Sequence, residues 1–100
     1  MAYSTVAEVK EILSITETTW DSEITGCIAD ADARIDNKLF NHTAVPLSPV
    51  PAMIKISSKN LAASLFRERR DPVGAKAFQE TGITYLQEYI EEHFYEGEAR

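Results

Sequence analysis

"ADARIDNKLFNHTAVPLSPVPAMIK", residues 31–55, changes character halfway through. It opens as an amphipathic helix, loses its period around Asn41, carries three prolines within six positions (Pro46, Pro49, Pro51) and resumes as an apolar-periodic run. A domain linker, a proline-rich recognition peptide and the corner of one fold all fit those letters in isolation. The flanks decide among them.

Upstream, Ile24, Cys27, Ile28, Ala31, Ile35 and Leu39 follow the 3–4 spacing of a buried helical stripe. This predicts a helix from Asp21 to Leu39 or Phe40, with Trp20 packed at its N-terminal end. Asp30, Asp32 and Asp36 are expected on its solvated face, with Asp30 and Arg34 pairing at i,i+4. Downstream, a helix is expected with Pro51 at its first position, where a missing N–H costs little, running to about Arg69. Its inner face is Ile54, Ser58, Leu61, Ala62 and Leu65, flanked by Met53 and Phe66. With such helices on both sides, "NHTAVPLSPVP" is too short to separate domains and reads as a corner. Pro46-Leu47-Ser48-Pro49 formally matches PxxP, but the nearest base, Lys55, lies inside the next helix, and the prolines instead stiffen the connection.

Further out, Thr5 and Glu8 have the spacing of a capping box, followed by a short helix to about Leu13 with Val6, Val9, Ile12 and Leu13 on one face. "SITETTW" then breaks the period with residues that suit a loop and an N-cap. Ser57, Ser58, Ala62, Ala63 and Ser64 are small enough to let another helix approach closely, from this chain or from a neighbouring subunit. Pro72 disfavours a helical Asp71 and closes the third helix at "RRDPVG". Residues 74–82 read either as a short helix ending at Gly82 or as an extended excursion. From Ile83, the spacing of Leu86, Tyr89, Ile90 and Phe94 predicts a last helix, with a frayed acidic tail from Gly97. The expected fold is therefore all-α, a single domain built as a small bundle of about four helices.

Composition narrows the function. With 44% apolar and 26% charged residues the chain can form a core of its own. A formal charge of −6 argues against nonspecific attraction to nucleic acid or anionic lipid. One cysteine, Cys27, excludes an internal disulfide and a cysteine cage for zinc, and fits a reducing compartment. No apolar run approaches a membrane span and no signal-peptide core is present, so a soluble, unprocessed chain with no membrane partner is expected.

Reactive constellations are missing as well. Asp32 and Asp36 share a helix face, but catalysis or Mg²⁺ binding would need convergent ligands in a cleft. His42 and His93 lack the paired spacing of a metal site, and no serine sits in a nucleophile's setting. No enzyme activity, cofactor or metal is expected. The candidates that remain are surfaces: Arg67, Arg69 and Arg70, of a residue type that suits both intramolecular pairing and interfaces, and the aromatic, acidic end "YLQEYIEEHFYEGE". There Tyr85, Tyr89, Phe94 and Tyr95 are too many for one buried face.

"TVAEVKEIL", the stripe in "DSEITGCIADADARIDNKL", a proline before "MIKISSKNLAASLFRERR", and "DP-G-K" together resemble the head-tail connector (adaptor or head-completion) proteins of tailed phages, over residues 3–76. A related phage family shares the "ADA-ID-L" and "P-P" arrangement. The resemblance implies a small helical virion protein at the head-tail junction, present in the host cytoplasm during assembly. It would form a ring, twelvefold in expectation, beneath the portal. The ring would extend the DNA channel, let DNA pass without specific binding, and dock a stopper or tail-completion protein. Relatives often carry a glycine after the second helix, where this chain has Phe40-Asn41. They also often carry an extended, serine-containing segment where this chain reads "AFQETGITYLQEYI", so the portal-contacting end is not carried over. Two further readings compete. One is a small acidic regulator, an inhibitor or antitoxin-like binding protein, supported by six acids from Glu80 onward. The other, a helix-turn-helix DNA reader, lacks a recognition helix with enough exposed bases.

Overall fold

A computed structural model describes residues 2–40 and 50–92. Pro46, Pro49, both histidines, Phe94, Tyr95 and the acidic tail lie outside that range. Four helices follow in order: α1 (Val6–Leu13), α2 (Asp21–Leu39), α3 (Ala52–Glu68) and α4 (Pro72–Ile90). Among the described residues there is no strand, as the all-α expectation requires.

The capping box is present in full. Thr5 Oγ1 accepts from the Glu8 amide at 3.2 Å while Glu8 Oε1 accepts from the Thr5 amide at 2.9 Å, so two donors at the helix start are satisfied reciprocally. α1 ends at Ser14, in the left-handed region at φ 60°, from which the chain turns toward α2. α2 begins and ends where its stripe does. Ile24, Ile28, Ala31, Ile35 and Leu39 are buried, whereas Cys27 is only half-buried. Pro51 is the N-cap residue of α3 rather than its first helical residue: its ψ of 151° is extended, and the helix starts one position later.

α3 is the hub. It packs against α1, α2 and, most extensively, α4. Ile54, Leu61, Ala62 and Phe66 are buried in the shared core with Val9, Leu13, Ile35 and Leu39, and each fully buried Ile or Leu contributes about 2 kcal/mol.

The last helix departs most from expectation. Residues 74–82 neither form an extended excursion nor end at Gly82; they are the first half of one 19-residue helix. Asp71 starts it. Its backbone is non-helical, as Pro72 demands, and its side chain accepts from the Gly74 amide at 3.1 Å, while Pro72 occupies the first turn, where no N–H is needed. Gly82 is instead a contact residue. A Cβ there would lie 2.7 Å from Leu61 Cγ and 3.1 Å from the Ser57 carbonyl oxygen, and the Ser57 hydroxyl donates to the Gly82 carbonyl at 2.7 Å. Of the small residues of α3, Ser57 thus receives α4 of the same chain, while Ser58 faces α2 and the N-terminal residues. With only Arg69–Asp71 between them, α3 and α4 form an antiparallel helical hairpin.

Candidate functional site: the arginine corner

The hairpin turn gathers the three predicted arginines. The Arg67 carbonyl accepts from the amides of Arg70 (2.8 Å) and Asp71 (2.7 Å), a tight reversal that projects the side chains at residues 67–71 around one end of the molecule. Each arginine has a different fate. Arg70 is built into the subunit. Its Nη1 and Nη2 each donate to Glu23 of α2 at 3.1 Å, Nη1 also donates to the Phe66 carbonyl at 2.8 Å, and its guanidinium carbon lies 4.1 Å from the Phe66 ring centre and 4.6 Å from that of Trp20. Trp20 meets Phe66 edge-on at 5.9 Å. The forked pairing and the stacking are what a planar guanidinium offers and an ammonium does not.

Arg67 pairs with Asp71 at 3.6 Å and lies 5.9 Å from the Phe78 ring centre. Arg69 has the most open side chain of the three, 78% exposed and only 3.7 Å from Glu23. The hydrogen bond from Arg70 holds the Glu23 carboxyl below its usual range, and the charges of Arg70 and Arg69 act in the same direction. Glu23 therefore stays ionised and keeps the corner latched.

The aromatic candidates separate too. Tyr85 is half-buried and borders a shallow depression with Thr81, Thr84 and Glu88 on the outer side of α4. Tyr89 is buried in the subunit's own core. Phe94 and Tyr95 lie outside the described residues.

A second polar cluster, built on Asp32 rather than leaving it on the expected solvated face, is inside the fold. Asp32 is buried. Its two oxygens accept from the Tyr3 amide at 2.8 Å and the Ser58 hydroxyl at 2.6 Å, and Ser4 Oγ lies 2.7 Å from Ser58 Oγ. Because Ser58 has one proton and gives it to Asp32, Ser4 is the donor in the serine pair. The Tyr3 hydroxyl donates to Asp36, so residues 2–4 form a strap clasped between α2 and α3. Burial pushes the Asp32 carboxyl above its ordinary range; the hydrogen bonds from Ser58 and Tyr3 oppose that shift, and the neighbouring Asp36 charge adds to it.

The helical spacing contained the signal for Asp32, which stands four residues after Ile28 and three before Ile35, on the buried stripe itself. The expected Asp30–Arg34 pair is not among the ion pairs between described residues. Phe66 lies one helical turn before Arg70, but Trp20 and Glu23, the other residues that hold it, are close to it only in three dimensions. No sequence spacing links Arg70 to those two.

Asp32 and Ser58 are closed off from any substrate, and every buried side-chain polar atom among the described residues has a partner. Burial, with a smaller push from Glu23, raises the Cys27 thiol, so it stays protonated. Among the described residues no three His, Cys, Asp or Glu side chains converge as a metal site, and no helix is long and apolar enough to cross a membrane.

The chain is thus a small helical domain with its buried polar groups paired and charges displayed at a hairpin turn. The model of the bacteriophage Mu Gp36 family matches residues 3–91, and the chain belongs to that family. The match takes in α4, beyond the reach of the connector resemblance. No curated protein and no solved structure matches the chain. Family membership makes this a phage protein and points to a structural or assembly role.

Proposed function

We propose that the chain is a structural protein of the phage neck, assembling as a ring under the portal, extending the DNA channel and offering a docking surface to a stopper or tail-completion protein. The observation that carries this reading is the contrast between a closed interior and the exposed hairpin corner, in a chain whose family is a phage family. Surface contacts that are individually modest suffice for such a role, because symmetry repeats them around a ring.

The charge is compatible with the same role. A net charge of −6 gives little counterion release on DNA, so a duplex could slide past the ring without being held. The exposed acids Glu80 and Glu88 of α4, with Glu91 and Glu92 just beyond its end, support a second reading as an acidic regulator that engages a basic partner.

Mixing the chain with its cognate portal separates the two. Rings on portal in negative-stain images or native mass spectra are expected, with negligible binding of duplex DNA at physiological salt. A strictly monomeric chain that never associates with portal would sink the neck reading. Capture of a basic regulatory target by the same chain would support the alternative.

A further inference from the structure

We propose that the α3–α4 corner of one copy seats in the groove between α2 and the N-terminal strap of a second copy, giving a head-to-tail contact between subunits. The inference rests on the ring reading and names the subunit contact within it.

The corner supplies an apolar knob flanked by two exposed cations, Arg69 and Lys76, while the acid beside it, Asp71, is paired with Arg67. Val73, 86% exposed, is the most exposed large hydrophobic side chain among the described residues, and Pro72 beside it is exposed as well. Arg69 precedes the knob with its side chain open to solvent. Lys76, one helical turn further on, is exposed and has no ion-pair partner among the described residues.

The groove supplies the complement. Its volume is about 640 Å³ and its walls, mainly apolar, include Val6, Thr25, Ile28, Ala29 and Ala33, with Asp36 on its border. Ala29 and Ala33 are exposed and small, so an incoming valine and the helical turn behind it can approach the α2 backbone. Asp36, whose carboxylate accepts from the Tyr3 hydroxyl, borders the groove and is opposite in sign to Arg69 and Lys76.

Knob and groove thus match in both polarity and charge, and both belong to this chain, so the occupant is a second copy. Because the two patches are different surfaces, each copy in a pair keeps one unused corner and one unused groove. Such a contact propagates, and it forms a ring where the rotation between copies closes.

The test uses two variants at exposed positions, Val73→Asp to spoil the knob and Ala33→Trp to fill the groove, each checked for a wild-type melting profile. In sedimentation velocity, each variant alone should self-associate at least tenfold more weakly than wild type. Their equimolar mixture should restore a 1:1 pair and nothing larger, since one partner keeps its groove and the other its corner. Unchanged self-association of either folded variant, or a mixture no better than its components, would overturn the proposal.

Val73→Cys and Ala33→Cys, each in a Cys27→Ser background, extend the test to a contact too weak to sediment. A short bis-maleimide linker should join the two variants to each other and neither to itself; without that cross-link at millimolar concentration the proposal falls, even for a chain that sediments as a monomer. Rings on portal without the cross-link would remove this contact and leave the neck reading standing. The cross-link without portal binding would do the reverse.

Discussion

The α3–α4 seam and the outer face of α2 are lined by the same kind of small residue, but only the seam is covered. On the seam, Ser57 and Gly82 are buried, and the Ser57 hydroxyl donates to the Gly82 carbonyl across the two helices. On α2, Thr25, Gly26, Ala29 and Ala33 are exposed, and a Cβ built on Gly26 would meet nothing within 4 Å. A glycine inside a helix costs about 1 kcal/mol relative to alanine. At Gly82 close packing within the chain offsets that cost. At Gly26 no described part of the chain does. Small residues in a sequence announce that something comes close, and the fold shows whether that neighbour is already present.

The sharpest way to break this comparison is to fill the seam. Gly82→Val drives side-chain atoms into Leu61 and toward the backbone of α3, and should destabilise by about 3 kcal/mol, at the upper end for overpacking. A urea midpoint equal to wild type would mean that the α3–α4 seam is not as tight as described.

Next in size is the clasp under the strap. Asp32→Ala strands the Tyr3 amide and the Ser58 hydroxyl and should cost about 2 kcal/mol, read from the same urea curves. Its pH signature has a definite sign. The folded-state carboxyl titrates above the unfolded one, so its contribution is fully present below the ordinary value of 3.8 and is lost as pH rises through the raised value. The stability difference between wild type and Asp32→Asn should therefore move in favour of wild type as pH falls through that window. A flat difference would mean that burial does not perturb Asp32.

Smaller again is the corner. Arg70→Ala removes the stacking on Trp20 and Phe66 and should lower stability by about 1 kcal/mol in thermal melts. Glu23 adds an opposite pH trend. Its lowered carboxyl contributes stability above the ordinary 4.5 and loses it as pH falls through the depressed value. The smallest effect is a gain: Gly26→Ala should stabilise the isolated subunit by up to about 1 kcal/mol, since nothing obstructs the added methyl. A loss of stability there would show that the α2 face is already occupied within the chain.

Much of this architecture was legible in the sequence, and the exceptions have local causes. The Thr5–Glu8 box, the α2 stripe and the break at Asp71 follow from chemistry within a few residues, so spacing alone finds them. The sequence leaves residues 74–82 open between a short helix and an extended excursion, because a helix-ending glycine and a helix-crossing glycine look alike until the opposing Ser57 and Leu61 are seen. The charge of Asp32 argues for solvent although its position on the buried stripe points inward; the partners that make its burial tolerable, Tyr3 and Ser58, come from distant segments. Arg70 was recognised as notable for its residue type, but its latch to Glu23 and Trp20 spans α2 and α3, and no short motif encodes that. Val73 carried a weaker signal, a large aliphatic residue in the first turn after a capped proline.

The central claim, that the interior makes the fold while the exposed surfaces perform the function, is tested most directly by assembling portal with the Arg69→Glu/Val73→Asp double variant. The account predicts a subunit with near wild-type melting that fails to complete rings on portal where wild type succeeds. Rings of wild-type yield and size from the double variant would contradict it.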